Sequence, residues 1–248
     1  MMTEFNYWTM MERQISIISK EKQERFQKAH ITIIGSGGLG GFALENIIRL
    51  GAENIKIVDP DKFSISNLNR QLLATNETID TYKAVAAKER AQLINPQVKI
   101  ETITEFFTEE NAENIVKDSD IVIDALDNIL SRVILARKTK ELEIPWVHGA
   151  IYSLQGQSTL FTPESPSYEA IFTLPSKNKP LNKETINQLE KLSLEIIPSF
   201  APIANITSSL MAMQAYKYIT NLNNLIISPR VLTFNMEDNK QPFKIIEY

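Results

Sequence analysis

The chain has 248 residues, 43% of them hydrophobic and 23% charged, and a net charge of -4. That is the balance of a globular protein long enough for one large α/β domain or two small ones. Its acidity gives no support for a dedicated nucleic-acid surface, and no apolar run approaches the roughly 18 residues of a membrane helix. Cysteine is absent, which excludes disulfides, cysteine-ligated zinc, iron–sulfur clusters and thiol nucleophiles within this chain. The polar and aromatic start, Met1 to Glu12, lacks a signal-peptide pattern, and the expected location is the cytoplasm.

The first predicted strand, Ile31 to Ile34, runs into Gly35-Ser36-Gly37-Gly38-Leu39-Gly40-Gly41, so five of the eight glycines fall within seven residues. A β-branched run ending in G-x-G-x-x-G and opening into a helix is a nucleotide-phosphate fingerprint. Its glycines permit a tight turn and bring backbone N–H groups close to phosphate. Leu39, Ala43, Ile47 and Leu50 share one helical face, and Gly51 marks the stop. Asn54 to Asp59 is a second strand ending in an acid at the spacing of a ribose ligand. An NAD-dependent oxidoreductase would read the same to this point.

Beyond it, Lys83 to Ile94 is a predicted helix with Ala84, Ala87, Ala91 and Ile94 on one face. Val98 to Ile103 is a strand, and Glu109 to Lys117 a short helix behind Thr108 as cap. Ile121 to Asp124 is a buried strand, Leu130 to Leu142 a helix and Trp146 to His148 a strand. The alternation implies a Rossmann-like, doubly wound, mostly parallel sheet. The pattern then changes. Ile151 to Phe161 reads as a strand or a hairpin around Gly156, and Pro163 to Pro180 as a mobile surface loop. Lys183 to Leu192 and Ile203 to Ile219 read as helices, and Val231 to Met236 and Phe243 to Glu247 as closing strands. No linker divides these parts. The expectation is one domain over 1–248, with a nucleotide-binding part over 1–150. A smaller antiparallel C-terminal lobe follows over 151–248, its mobile loop at about 163–200.

Asp59-Pro60-Asp61 followed by Asn67-Leu68-Asn69-Arg70-Gln71 decides between nucleotides. An NAD enzyme has no use for this run, whereas nucleotidyl transfer needs cations beside a triphosphate, and Arg70 offers a planar fork to phosphate oxygens. Singly, each residue also has a plain role. Arg13 and Lys83 could be solvated helix charges, Asp61 a turn cap and Asp127 a helix cap. His148 would be a structural residue at a strand end, and His30 a surface residue.

With these motifs the chain resembles the ubiquitin-activating-enzyme-like superfamily over nearly its whole length. Its small members activate sulfur-carrier proteins for molybdopterin and thiamine synthesis. The resemblance implies that the glycine loop, Gly35, Gly37, Gly38 and Gly40, binds ATP phosphates and that Asp59 holds the ribose. It implies that Asp61 and Asn67 shape the site, and that Arg70, Gln71 and Lys83 face the phosphates. Asp124-Ala125-Leu126-Asp127-Asn128 with Arg132 matches the family pattern D-x-x-D-N-x-x-x-R, in which Asp127 would hold Mg²⁺ and Asn128 belongs to the nucleotide site. Arg13, in Arg13-Gln14-Ile15, would reach into the partner's site of a homodimer. Arg13, Arg70, Lys83 and Asp127 are thus the expected catalytic set.

The implied activity is an ATP-dependent adenylyltransferase acting on the C-terminal carboxylate of a small ubiquitin-like carrier protein. The alternatives are another carboxylate, on a tRNA base or a peptide, and a non-catalytic partner-binding subunit. Two departures matter. Ser167 and Ala170 stand where many relatives carry the first pair of zinc cysteines, and the second pair is missing, so no zinc is expected. Lys191 to Pro198 lacks the cysteine that many relatives carry before the last helix, so this chain by itself forms no thioester. Ser193 has no evident base and is not expected to act as a nucleophile.

Overall fold

The computed structural model describes residues 4–193 and 198–248. Its core is one eight-stranded sheet. The strands are β1 (His30–Ile34), β2 (Asn54–Val58), β3 (Lys99–Ile103), β4 (Ile121–Asp124), β5 (Trp146–Tyr152), β6 (Gln155–Phe161), β7 (Arg230–Asn235) and β8 (Phe243–Glu247). Their order is β3-β2-β1-β4-β5-β6-β7-β8. The first five are parallel, with Ile33 paired to Ile57 on one side and to Ile123 on the other. From β6 onward the pairing is antiparallel. The C-terminal lobe therefore continues the same sheet.

Short helices α1 (Tyr7–Met10), α2 (Glu12–Ile15) and α3 (Lys20–Lys28) precede β1. The crossovers carry α4 (Gly38–Arg49), α5 (Lys83–Ile94), α6 (Ala112–Val116) and α7 (Ile129–Glu141). After β6 come α8 (Tyr168–Ile171), α9 (Lys183–Glu190) and α10 (Ala201–Ile219). One apolar cluster joins α4, α5 and α10 to one face of the sheet, including Ile31, Ile33, Ala43, Ile47, Ala87 and Ala215. The other face packs Ile34, Val58 and Val122 against α6 and α7. Both faces are covered, which is why the parallel strands read as continuous apolar runs.

Several local expectations shift. The β5–β6 hairpin turns at Ser153, which has φ +53°, while Gly156 lies inside β6. A Cβ there would come within 2.4 Å of Thr207 Oγ1 and 2.5 Å of Phe234, so this glycine serves close packing under α10. The cap of α6 is Asn111, whose side chain accepts from the Thr108 N–H at 2.8 Å; Thr108 itself is not the cap. The 163–180 stretch carries α8 and packs inward through buried Tyr168 and Ile171, with Arg137 donating to Glu169 at 2.7 Å. Ser167 caps α8 by accepting from the Ala170 N–H at 3.2 Å. Both positions that would have carried zinc cysteines therefore serve a helix turn.

Candidate functional site

Order reverses between β1 and β4, because successive crossovers leave β1 in opposite directions. At such a switch point two loops part above the carboxyl ends of the strands and leave a crevice. Here it is a cleft of about 710 Å³. Its lining brings together Gly35, Gly37, Gly38, Asp59, Asp61, Arg70, Gln71, Lys83, Asp127 and Asn128.

The glycine loop is built by two different needs. Gly35 has φ +95°, and a Cβ at Gly40 would lie 1.9 Å from the Gly35 carbonyl oxygen. These two glycines let the loop fold on itself, and Gly40 packs behind the cleft rather than lining it. At Gly37 and Gly38 an added Cβ would meet only Gln71 at 3.4 Å and Ala204 at 3.9 Å. The bare backbone there faces the cleft at the N-terminus of α4, the geometry that receives an anion.

Asp59 stands just past β2. Its carboxylate accepts from the Ser36 N–H at 2.7 Å and from the Asp61 N–H at 2.9 Å. Burial pushes its pKa up, against the opposing pull of Lys83 and the two N–H groups. Asp59 thus ties the glycine loop to the end of β2 while facing the cleft. Lys83 opens α5 and donates to Asp61 Oδ2 at 2.9 Å. Its side chain is only 9% exposed while that of Asp61 is 56% exposed, so the ammonium stem is held from below and the carboxylate leans into solvent. Arg70 spends Nη1 on the Ser66 carbonyl at 2.8 Å and on Asn69 at 2.9 Å. Gln71 is buried beside Gly37, and its Oε1 has no partner among the described residues.

Asn67 does not line the cleft. It caps the turn that leads to Arg70, accepting from the Ser64 N–H at 3.0 Å through its side chain, and its carbonyl receives the N–H groups of Arg70 and Gln71. It shapes the site indirectly, through the backbone. Asn128 is the cap of α7, accepting from the Ser131 N–H at 2.8 Å, so the helix cap falls one residue after Asp127. Asp127 is exposed at the cleft, approached by Asn128 Nδ2 at 3.4 Å. Arg13 lies on α2, exposed and away from this cleft. Its neighbour Gln14 donates to the Leu50 carbonyl at 3.1 Å, which places α2 at the C-terminal end of α4, roughly 18 Å along that helix from the glycine loop.

Three features escaped the sequence. The Glu105–Phe107 turn after β3 lines the cleft, as do Ser131 and Ser199, and Ser193, already singled out in the sequence, lines it too. The rule that ligands sit beyond the carboxyl ends of parallel strands would have pointed to the first. Ser193 accepts from the Ile129 N–H at 3.1 Å, while 194–197, within the stretch where relatives carry their cysteine, lie outside the described residues. At the floor and beneath it, buried Asp124, Arg132 and His148 form one hydrogen-bonded cluster, of which Arg132 also lines the cleft.

The arrangement suits a polyanion carrying a ribose. It offers N–H groups at a helix start, a guanidinium, an ammonium and an unburied carboxylate. Among the described residues no three His, Cys, Asp or Glu side chains gather as a metal cluster. The Asp127 carboxylate therefore fits Mg²⁺ only in the common form in which phosphate oxygens and water complete the shell.

The ThiF family profile matches residues 11–247 of the chain. The chain belongs to the ThiF family. It is 35% identical over 164 residues to the sulfur carrier protein adenylyltransferase of Thermus thermophilus, covering 64% of this chain and 60% of that one. It is 34% identical over 155 residues to the SAMP-activating enzyme E1 of Haloferax volcanii, covering 62% and 57%. With the molybdopterin-synthase adenylyltransferase of Haemophilus influenzae it shares 32% over 197 residues, covering 79% and 76%. The chain thus spans about three-fifths of the length of the first two relatives. In fold it is similar to PaaA, with a TM-score of 0.80 at 22% identity over 99% of this chain and 84% of that one. It is likewise similar to Escherichia coli MccB, with a TM-score of 0.80 at 16% identity over 99% and 70%.

Proposed function

We propose that this chain is an ATP-dependent adenylyltransferase that activates the C-terminal carboxylate of a small ubiquitin-like carrier protein. The observation that carries the reading is the bare Gly37–Gly38 backbone facing one cleft with Arg70, Lys83 and Asp127. Its relatives bearing adenylyltransferase names support it. The carrier's carboxylate attacks the α-phosphorus of ATP, a P–O bond forms, and pyrophosphate leaves with the electron pair of the broken P–O bond. All reactants are anionic, so the protein contributes positioning and positive charge where negative charge develops.

Gly37 and Gly38 direct N–H groups at phosphate oxygens. Arg70, whose position is set by Ser66 and Asn69, and Lys83, set by Asp61, hold the remaining phosphate charge. Asp59 receives a ribose hydroxyl beside its two backbone bonds, and the Gln71 amide faces the phosphates. Mg²⁺, when bound at Asp127, supplies Lewis-acid neutralisation of the phosphates. No cysteine exists to accept the acyl group, so the acyl-adenylate passes to an acceptor outside this chain.

Arg13 lies too far along α4 to serve its own cleft, so the reading includes a homodimer in which each copy lends Arg13 to the other. It also takes the chain as a single adenylation domain acting in the cytoplasm, without zinc. No helix among the described residues is long and apolar enough to cross a membrane. The test is ATP–pyrophosphate exchange with candidate small ubiquitin-like proteins from the same genome. Exchange that needs a free carrier C-terminus is expected. Tight NAD binding without any response to ATP would overturn the assignment.

A further inference from the structure

We propose that His148 is a positioning residue for the Asp127 loop, acting through Asp124. The inference rests on the reading of Asp127 as the Mg²⁺–ATP carboxylate. The sequence offers only a histidine at a strand end, but in the fold it is the far end of a chain of bonds leading to the cleft.

Asp124 ends β4 and is fully buried. A carboxylate only accepts, so His148 Nδ1, 2.7 Å from Asp124 Oδ2, carries the proton and donates it. His148 Nε2 is then the acceptor, and Gln157 Nε2 stands 3.1 Å from it as donor. That pair locks one tautomer. Arg132, from α7, approaches the same Asp124 oxygen with Nε at 3.2 Å. The ring is enclosed by Trp146, Tyr168 and Phe172, with centroids 5.3–6.0 Å away. Burial lowers the His148 pKa, and the hydrogen bond to Asp124 only partly opposes this. The neutral ring suits a cluster whose one carboxylate already faces a guanidinium.

The output of this cluster is the loop. Asp124 Oδ1 accepts from the Leu126 N–H at 3.0 Å. Arg132 Nη2 donates to the Leu126 carbonyl and, at 3.3 Å, to that of Gly149. On the other side Asn128 caps α7 and Ser193 receives the Ile129 N–H. Asp127 is the one exposed residue between two fastened ends, so its carboxylate is aimed by what holds Leu126. His148 fixes the carboxylate plane of Asp124, and Asp124 fixes Leu126.

Three substitutions separate this role from bulk packing. In His148→Asn the amide nitrogen replaces Nδ1 and keeps a donor to Asp124. His148→Gln is equally polar but carries its nitrogen where Nε2 lies, and His148→Leu has no donor. The readouts are ATP affinity with Mg²⁺, ATP affinity in EDTA, and hydrogen exchange of the Leu126 amide. In the Gln and Leu variants the gain in affinity that Mg²⁺ brings is expected to fall about tenfold, the usual cost of losing a residue that orients a metal ligand. Affinity in EDTA should stay within about twofold of wild type, and Leu126 should exchange about tenfold faster. The Asn variant should restore both. The Asn–Gln comparison carries the test if the Leu variant does not fold.

Wild-type behaviour in the Gln variant would overturn the proposal. Equal loss in all three, with and without Mg²⁺, would do so as well, since it would show only a fold requirement. Should wild type itself bind ATP without any Mg²⁺ effect, the reading of Asp127 falls. Leu126 exchange then still decides whether His148 holds the loop.

Discussion

Two alanine substitutions two residues apart are expected to do opposite things. At Gly40 the new methyl carbon would sit 1.9 Å from the Gly35 carbonyl oxygen and 2.7 Å from its carbon, with Ala125 Cβ at 3.3 Å. Backbone has to move, at a cost of about 1–3 kcal/mol typical of overpacking. For a chain of this length each kcal/mol lowers Tm by roughly 2–4 °C. At Gly38 the nearest atom is Ala204 Cβ at 3.9 Å, an ordinary contact, and the residue already opens α4. Gly→Ala at such a compatible position stabilises by about 0.4–1 kcal/mol, largely by restricting the unfolded chain. Gly38→Ala should therefore keep or raise Tm by about 1–3 °C. Its methyl nevertheless occupies the surface where phosphate must touch backbone, so ATP affinity should fall at least about tenfold, or ~1.4 kcal/mol. Thermal unfolding and titration calorimetry with Mg–ATP on both variants measure this. A Gly38→Ala protein that binds ATP as wild type does would refute the phosphate cradle, and a Gly40→Ala protein with unchanged Tm would refute the packing argument.

Mixing Arg13→Ala with Asp127→Ala protein should restore part of the exchange activity, because mixed dimers contain one site with both residues; a mixture as inactive as its parents, despite verified subunit exchange, would show that Arg13 is not shared. Lys83→Met should abolish most pyrophosphate exchange yet cost no more than about 1 kcal/mol of stability, since its partner Asp61 is more than half exposed; a large drop in Tm would contradict that separation. Below the ordinary imidazole pKa of 6.5 the unfolded chain protonates His148 while the buried ring, its pKa lowered, resists. Stability should therefore fall with pH below that point, by at most about 1.4 kcal/mol per pH unit from this group. Denaturant midpoints at descending pH should show the steeper fall in wild type than in His148→Asn, and identical slopes would rule the ring out as the source. Carrier, ATP and enzyme should release one pyrophosphate per site and then turn over slowly until hydroxylamine or sulfide is added, and fast turnover without an acceptor would refute a protected adenylate.

Much of this protein is written locally. The glycine loop was legible because Gly35 to Gly40 is a contiguous backbone device between a strand and a helix. The limits of α5 and β4 were legible because periodicity and caps are short-range properties of the chain. Asp59, Lys83 and Asp127 could be placed at the cleft because each lies at a strand end or beside a helix start that the pattern itself marks, whereas Arg70, in a turn, stood out only through the Asn67–Gln71 run.

What needed the tertiary structure is everything that depends on register between distant segments. Gly156 looks like a turn residue in sequence, and only α10 crossing above it shows that it makes room for Thr207 and Phe234. Asn67 reads only as a residue that shapes the nucleotide site, and the folded turn shows how, its side chain spent on Ser64. His148 reads as an isolated ring until β4 and β5 pair and place it 2.7 Å from Asp124. Propensity and pattern act over a few residues, whereas a hydrogen bond between parallel strands joins residues that dozens of positions separate. The sequence therefore determined the elements and the glycine loop, and the sheet decided which buried side chains meet behind the neighbouring Leu126–Asp127 turn.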